Sequence, residues 1–397
     1  MRTLFAFSIA VLFCLFLSAA DLDVKTMRLP EGGVQPQLVV DAQGVIHVVY
    51  LAGEAPKSDV YYIRSTDHGR SFSQPLRVNS QPGSAIASGS IRGAQIAVGR
   101  NGRVHVAWNG SSVALPKGPL NPEMAAGSPY NGTPMLYARL GDNGKFEPQR
   151  NLMTKTFGLD GGGSVAADSA GNVYVAWHGK APGAANAEDG RRVWLARSTD
   201  DGKSFSIESP ISAEGTGACG CCGMRLHVDE AGELFALYRS AHEIVHRDIY
   251  LLHSRDHGKS FSSEMLHPWE IGACPMSSMS FSEGPAGFLA AWETQKQIYF
   301  SKLSSSSYNP RKPTAAPLLA AAPAENRKYP LTVQNQRSET LLLWTVASSW
   351  GKPGKLAWRI FTAGGQPTQT TGALPEIPAW SFAAAFARPD GGFTILY

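Results

Sequence analysis

Charge is scarce in this chain. Asp, Glu, Lys and Arg make up only 17% of its 397 residues, and the formal net charge is +4. No cluster of Lys or Arg concentrates that surplus, so the basic stripe that nucleic-acid binding needs is missing. Long apolar runs are missing too. The only one, residues 4–17, is shorter than a bilayer span and lies at the very start. Cysteine is sparse at five residues, one of them Cys14 inside that run. The spacing of the other four has no standard zinc assignment.

What is present is turn chemistry. Glycine (41) and proline (26) are plentiful, and hydrophobic content is an ordinary 43%. The length fits two domains or one large repeat domain. Met1-Arg2, the apolar run and Ser18-Ala19-Ala20 read as a secretory signal, with an uncleaved anchor as the alternative. The expectation is a signal peptide over 1–20 and a single domain over 21–397, secreted or periplasmic, with no stable membrane span after cleavage. Disulfides are permitted in such a setting.

One octamer organises the mature chain. Ser-Thr-Asp-His-Gly-Arg-Ser-Phe at 65–72 recurs as Ser-Thr-Asp-Asp-Gly-Lys-Ser-Phe at 198–205 and Ser-Arg-Asp-His-Gly-Lys-Ser-Phe at 254–261. A worn copy, Asp-Asn-Gly-Lys-Phe, occupies 142–146. Each full copy follows a strand-like run and precedes another, so the Asp-x-Gly core predicts a hairpin turn. Asp67, Asp200 and Asp256 cap backbone N–H groups, Gly69, Gly202 and Gly258 take positive φ, and Phe72, Phe205 and Phe261 tuck beneath as plugs. These residues read as structural.

The octamer resembles the Asp box, or BNR repeat, of sialidases and related β-propellers. In that family the boxes lie on the face opposite the active site, so the resemblance implies a fold more than an activity.

A second repeat reaches further. Alternating apolar strands end on an aromatic residue at Tyr50, Trp108, Trp177, Tyr238, Trp292, Trp344 and Tyr397. Even spacing with one aromatic per unit indicates an all-β propeller. The units are 35–79, 92–154, 160–212, 219–268, 274–318 and 327–371, plus a seventh with two strands, 380–387 and 393–397. The N-terminal run 22–29 supplies one more strand. We therefore expect seven four-stranded blades, closed by pairing of N- and C-terminal strands. The alternative is the six-bladed sialidase-type ring. Residues 304–313 stand where a fifth octamer belongs, without its Asp and Gly. The Ala/Pro-rich segment 315–324 reads as a link between blades. Residues 111–134 form a long insertion, a candidate flap over one face.

Chemistry gathers where blades four and five begin. Gly-Ala-Cys219-Gly-Cys221-Cys222-Gly-Met224-Arg225 and Gly-Ala-Cys274-Pro-Met276-Ser-Ser-Met279 bring four cysteines to one rim. One reading is disulfides, with Cys274 tying blade five to blade four and two of the other three paired. The other is a soft-metal site for copper or zinc. There the thiolates are joined by Met224, Met276, Met279 and an imidazole from His242 or His246. No cofactor is required by either reading of the fold.

The sialidase resemblance implies three arginines on a sugar carboxylate, an Asp acid/base, and a Tyr nucleophile polarised by Glu. The chain departs from it at once, because Val34 stands where the first arginine belongs. Arg92, Arg239 and Arg327, with Asp160, Glu293 and Tyr329, reach the rim by position and are the candidates for an acidic-ligand pocket. Asn109 and His178 follow strand aromatics and are expected to line the channel. Arg247 and Asp248 are expected to open a strand as an ion pair. Asn109 and Asn131 match glycosylation acceptors. Three functions stay open: a glycan-binding or glycoside-hydrolase-like protein with an altered site, exo-sialidase-like if an enzyme; a metal- or redox-linked protein using the cysteines; and an interaction scaffold.

Overall fold

A Gly-bearing turn precedes six of the seven alternating runs, at Gly44, Gly102, Gly171, Gly232, Gly287 and Gly391, so these strands fold back on their neighbours as antiparallel meanders. The computed structural model describes residues 23–125, 127–128, 130–185, 187–243, 245–285, 287–303 and 326–397. The segment expected to be a signal peptide, the fifth octamer position and the Ala/Pro-rich link lie outside these residues. The described strands form seven sheets. In the first, Val34–Val40 pairs with Ile46–Glu54, then Lys57–Ser65, then Leu76–Arg77. Five sheets have four described strands and two have three.

The innermost strands are Val34–Val40, Gln95–Val98, Ser164–Ala167, Arg225–Val228, Ser280–Gly284, Arg327–Gln334 and Ala384–Ala387. Each contacts the next, and the last contacts the first. The result is a ring of seven blades around a channel of about 710 Å³. The six-bladed alternative is excluded.

Closure uses both termini. Val24–Met27 joins Phe393–Leu396 in the seventh blade, and the pairing is parallel. No hairpin dictates this strand's direction, because it arrives from the other end of the chain. Leu29 N–H donates to Tyr397 O at 3.0 Å, and Arg388 pairs with Asp23 at 2.8 Å. The ring is thereby latched without leaving a sheet edge between its ends.

Blade-to-blade packing supplies the core. Seven apolar clusters bridge the seven blade interfaces. Tyr50, Trp108, Trp177, Tyr238, Trp292 and Trp344 are buried in or beside them. Each such ring contributes about 1.5–3 kcal/mol by leaving water.

The octamers do what their chemistry dictates. Asp67 accepts from Ser71 N–H at 2.9 Å and from the Ser71 hydroxyl at 2.6 Å, and Ser65 donates to it at 2.7 Å. The same network recurs at Asp200 and Asp256. The Ser71 hydroxyl and N–H hold the Asp67 carboxyl well below the usual carboxylate range. The turn uses two left-handed residues, His68 at φ 61° and Gly69 at φ 81°. At Gly202 a Cβ would meet the Tyr137 hydroxyl, so glycine is needed for contact as well as for φ. Phe205 meets Tyr137 edge-on at 4.8 Å, the plug expected of it.

The insertion 111–134 is fastened to its neighbours. Glu123 pairs with Lys180 of blade three at 2.8 Å, and Gln81 and Gln149 bond its backbone. None of its described residues lines the pocket described below.

Candidate functional site

Segments leading into the inner strands of blades two to seven converge on one rim. Lead-ins have to bend there, and several non-glycine residues do so through positive φ: Met276 (48°), Tyr329 (52°) and Trp380 (64°). At Tyr329 a bulge between Lys328 and Leu331 shifts the register. Bulges re-aim side chains at strand ends. Close approach of neighbouring lead-ins needs glycine at 161, where a Cβ would lie 2.2 Å from the Gly220 carbonyl oxygen.

The lead-ins enclose a pocket of about 180 Å³. Arg92 is held on its wall by Asp160. Its Nη2 lies 2.5 Å from Asp160 Oδ1, and its Nε donates to the Asp160 carbonyl at 2.8 Å. The guanidinium stands 6.0 Å over the Trp350 ring. Trp350 meets Trp380 edge-on at 4.5 Å and is 58% exposed. Lys328 and Lys352 complete the cationic wall. Neither ammonium has a hydrogen-bond partner among the described residues, and burial pushes the Lys328 amine down. The pocket therefore sets one carboxylate against three cations, beside two indoles.

The remaining candidates separate. Tyr329 borders the pocket, but its hydroxyl donates to Met276 O at 3.0 Å, and burial pushes its phenol up to about 12. Arg239 and Glu293 are fully buried and paired at 3.1 Å, with Arg239 5.1 Å over the Trp269 ring. Burial raises Glu293 to about 7 against the pull of Arg239. Arg327 is buried and stands 5.4 Å over Trp344. The structure thus brings Arg92, Asp160 and Tyr329 together and places Arg239, Glu293 and Arg327 within the blades. Sequence reading missed Trp350, Trp380, Lys328 and Lys352. Trp380 carried a signal, since it opens blade seven just as Tyr329 opens blade six.

Of the cysteines, Cys221 lines the pocket. Cys221 bonds Cys274, tying blade four to blade five as expected. The second expected disulfide is absent: Cys219 and Cys222 are free and buried. Cys219 Sγ lies 3.3 Å from Cys221 Sγ and 3.3 Å from Cys222 Sγ. Bonding Cys221 outward to Cys274 leaves this tight turn, closed by Cys222 N–H on Cys219 O at 3.2 Å, with an unpaired thiol couple. The thiols split. Burial alone would raise Cys222, but the Cys219 S–H bonded to it and the Arg239 charge bring it down. The same bond, with burial, pushes Cys219 up. With the disulfide open, four sulfurs and the Glu188 carboxylate share this spot.

Several expectations are corrected. Met224 and Met279 pack into blade-interface cores, whereas Met276 lines the pocket. His242 and His246 gather with Asp248 rather than with the cysteines. Arg247 pairs with Glu188 at 3.6 Å, not with Asp248. Asn109 and His178 do not line the channel. Asn109 donates to the Asp160 and Gly161 carbonyls at 3.1 and 2.8 Å, bracing that lead-in. His178 is buried with both ring nitrogens unpartnered among the described residues, and burial lowers it to about 3. Asn131 is 6% exposed and Asn109 3%, so neither presents a free amide for glycosylation.

No protein-family model matches the chain, and no curated protein matches it in sequence. Solved structures do resemble it. A protein of unknown function from Dyadobacter fermentans superposes with TM-score 0.51 at 15% identity, covering 90% of this chain and 98% of that one. A Trypanosoma rangeli sialidase superposes with TM-score 0.51 at 13% identity, covering 81% of this chain. The chain spans about half of that sialidase, 54% of its length. At such identities the likeness is one of fold. Among the described residues no helix is long and apolar enough to cross a membrane.

Proposed function

We propose that this chain is an exported, sialidase-like propeller that binds acidic sugar residues in the rim pocket and does not cleave them. One observation carries the reading: Lys328 and Lys352 stand without a hydrogen-bond partner among the described residues, beside Arg92 and the Trp350–Trp380 pair. Cations with fixed donors suit a sugar carboxylate, and indole faces suit the apolar faces of a pyranose ring. A volume of about 180 Å³ fits a single terminal residue rather than a chain. The sialidase-like occupants of the resemblance, Tyr329 and Glu293, are committed elsewhere, to Met276 O and to Arg239. A phenol near 12 with no carboxylate bonded to it lacks the activation a nucleophile needs.

The test pairs a binding screen with an activity assay. Glucuronate, galacturonate and N-acetylneuraminate are titrated against galactose and glucose, and an aryl sialoside is offered as substrate. Binding confined to the acids, without aryl release, supports the reading. Turnover of the aryl sialoside contradicts the non-cleaving part of it, and preference for neutral sugars contradicts the rest.

A second reading is favoured by the sulfur geometry. Cys219 lies within 3.3 Å of both a disulfide sulfur and a second thiol, so reduction of Cys221–Cys274 assembles a thiolate set for a soft metal, copper or zinc. Metal content measured before and after reduction separates this from a plain staple. Uptake only after reduction supports it, and none in either state removes it.

A further inference from the structure

The loop between the second and third strands of blade four carries a grouping that the sugar-binding reading leaves unused. His242 and His246 face each other across a short antiparallel bridge, with ring centroids 4.4 Å apart and planes 11° from parallel. One ligand atom from each imidazole and one oxygen of Asp248 lie within 4.8 Å of one another. The imidazoles are 30% and 27% exposed. Asp248 is 4% exposed.

Asp248 is incompletely satisfied. Its Oδ1 accepts from Trp269 N–H at 2.8 Å, which fixes the carboxylate. Its Oδ2 has only the Ser240 hydroxyl, at 3.4 Å. No Lys or Arg pairs with it among the described residues, because Arg247 turns to Glu188. A buried carboxylate without a cation is costly, and bound metal is one of the ways such a group is retained. Within 4.8 Å of one of its oxygens lie two imidazoles, which are ligands rather than fixed charges. Glu243 adds a further carboxylate, 3.6 Å from His246 Nε2 and 4.0 Å from His242 Nδ1.

We propose that His242, His246 and Asp248 form a binding site for a divalent transition metal of the zinc class, independent of both the sugar pocket and the thiols. The donor set selects the class. Calcium and magnesium want mostly oxygen ligands, and monovalent copper wants sulfur. Two imidazoles and a carboxylate suit zinc, cobalt or nickel. Bonds of about 2.0–2.2 Å bring ligand atoms closer together than they stand here, and the part-exposed imidazoles have room to swing inward. Asp248 stays put, held by Trp269. The loop is pinned at its flanks, by Ala241 N–H on Thr216 O at 3.0 Å and by Arg247 N–H on Trp269 O at 2.7 Å. Three protein ligands leave a position for water or for Glu243, the coordination of an open site rather than a closed structural one.

The experiment uses the full mature chain without a histidine tag. Zinc stoichiometry and affinity are measured for the wild type, for His242→Ala/His246→Ala and for Cys219→Ser/Cys222→Ser, and cobalt is then substituted for zinc. The expected result is one zinc per chain in the wild type and in the cysteine variant. The histidine variant loses affinity by more than the about 100-fold that removal of an outer-shell partner costs. Cobalt gives d–d absorption without a thiolate-to-cobalt charge-transfer band. Circular dichroism unchanged in the histidine variant shows that the loss is local, and these part-exposed positions tolerate alanine. Asp248→Asn gives a second arm, expected to weaken zinc with the imidazoles intact. Absence of zinc from the loaded wild type overturns the proposal. So does zinc retained by the histidine variant, or zinc lost only from the cysteine variant with a charge-transfer band in the wild type.

Discussion

Arg92 Nη2 lies 2.5 Å from Asp160 Oδ1, an ion pair joining the lead-in of blade two to that of blade three at the mouth of the rim pocket. Its geometry also aims the guanidinium over Trp350. Asp160→Asn removes the one carboxylate from a cationic wall. Affinity for an acidic monosaccharide should rise by about three- to tenfold at low salt, and the gain should fade as salt screens it. Arg92→Lys should weaken binding by about tenfold, since a lone ammonium replaces a planar fork. Calorimetric titration at two ionic strengths checks both. Stability should barely move, because a part-exposed pair contributes about 0–1 kcal/mol.

Arg239 and Glu293 form the opposite kind of pair, wholly buried. Removing one partner strands a charge. Glu293→Ala should destabilise the fold by about 3–5 kcal/mol, whereas Arg239→Met combined with Glu293→Leu should recover much of that loss. Denaturant unfolding of the two variants makes the comparison. If the single variant is as stable as the double, the pair does not hold blades four and five together.

The octamer aspartates set an acid limit. Their folded-state carboxyls are depressed, Asp200 to about 2 by the Ser204 hydroxyl and N–H against the cost of burial. A depressed carboxyl contributes stability above its unfolded value, 3.8 for Asp200, and loses it as pH falls toward the folded value. Melting temperature should therefore drop between about pH 4 and pH 2. Asp67→Asn/Asp200→Asn/Asp256→Asn should start less stable at pH 7 and lose less across that window. A triple variant with the wild-type pH profile would contradict this role.

Thiol counting separates the sulfurs. A native chain lacking residues 1–20 should label at no cysteine, because Cys219 and Cys222 are buried and Cys221–Cys274 is bonded. Denaturation without reductant should expose two thiols, and reduction should bring the count to four. Mass spectrometry after alkylation reads all three states. Four thiols before reduction would mean that the inter-blade disulfide is not formed.

The fold was legible because its determinants are local and repeated. Tyr50, Trp108, Trp177 and their counterparts mark one strand per blade, and Asp67-x-Gly69 writes out a turn within five residues. The site was legible only where position alone sufficed, as at Arg92 and Asp160, which begin blades. Trp350 and Lys352 reach the pocket from a loop far along the sequence, so no spacing announced them. Pairing was hidden for the same reason. Four cysteines permit three connectivities, and only the meeting of two lead-ins chose Cys221 with Cys274. His242 and His246 stood four apart in a loop, where helix logic gives nothing; a two-residue bridge is what stacked their rings.

The most direct measurement is the dissociation constant of an acidic monosaccharide, compared among the wild type, Trp350→Ala and Lys328→Met/Lys352→Met. The account predicts saturable binding of N-acetylneuraminate or a uronate by the wild type, weakened at least about tenfold in each variant, with galactose unbound throughout. Equal affinity in all three proteins, or no acid bound by any of them, would contradict the rim pocket as a sugar site.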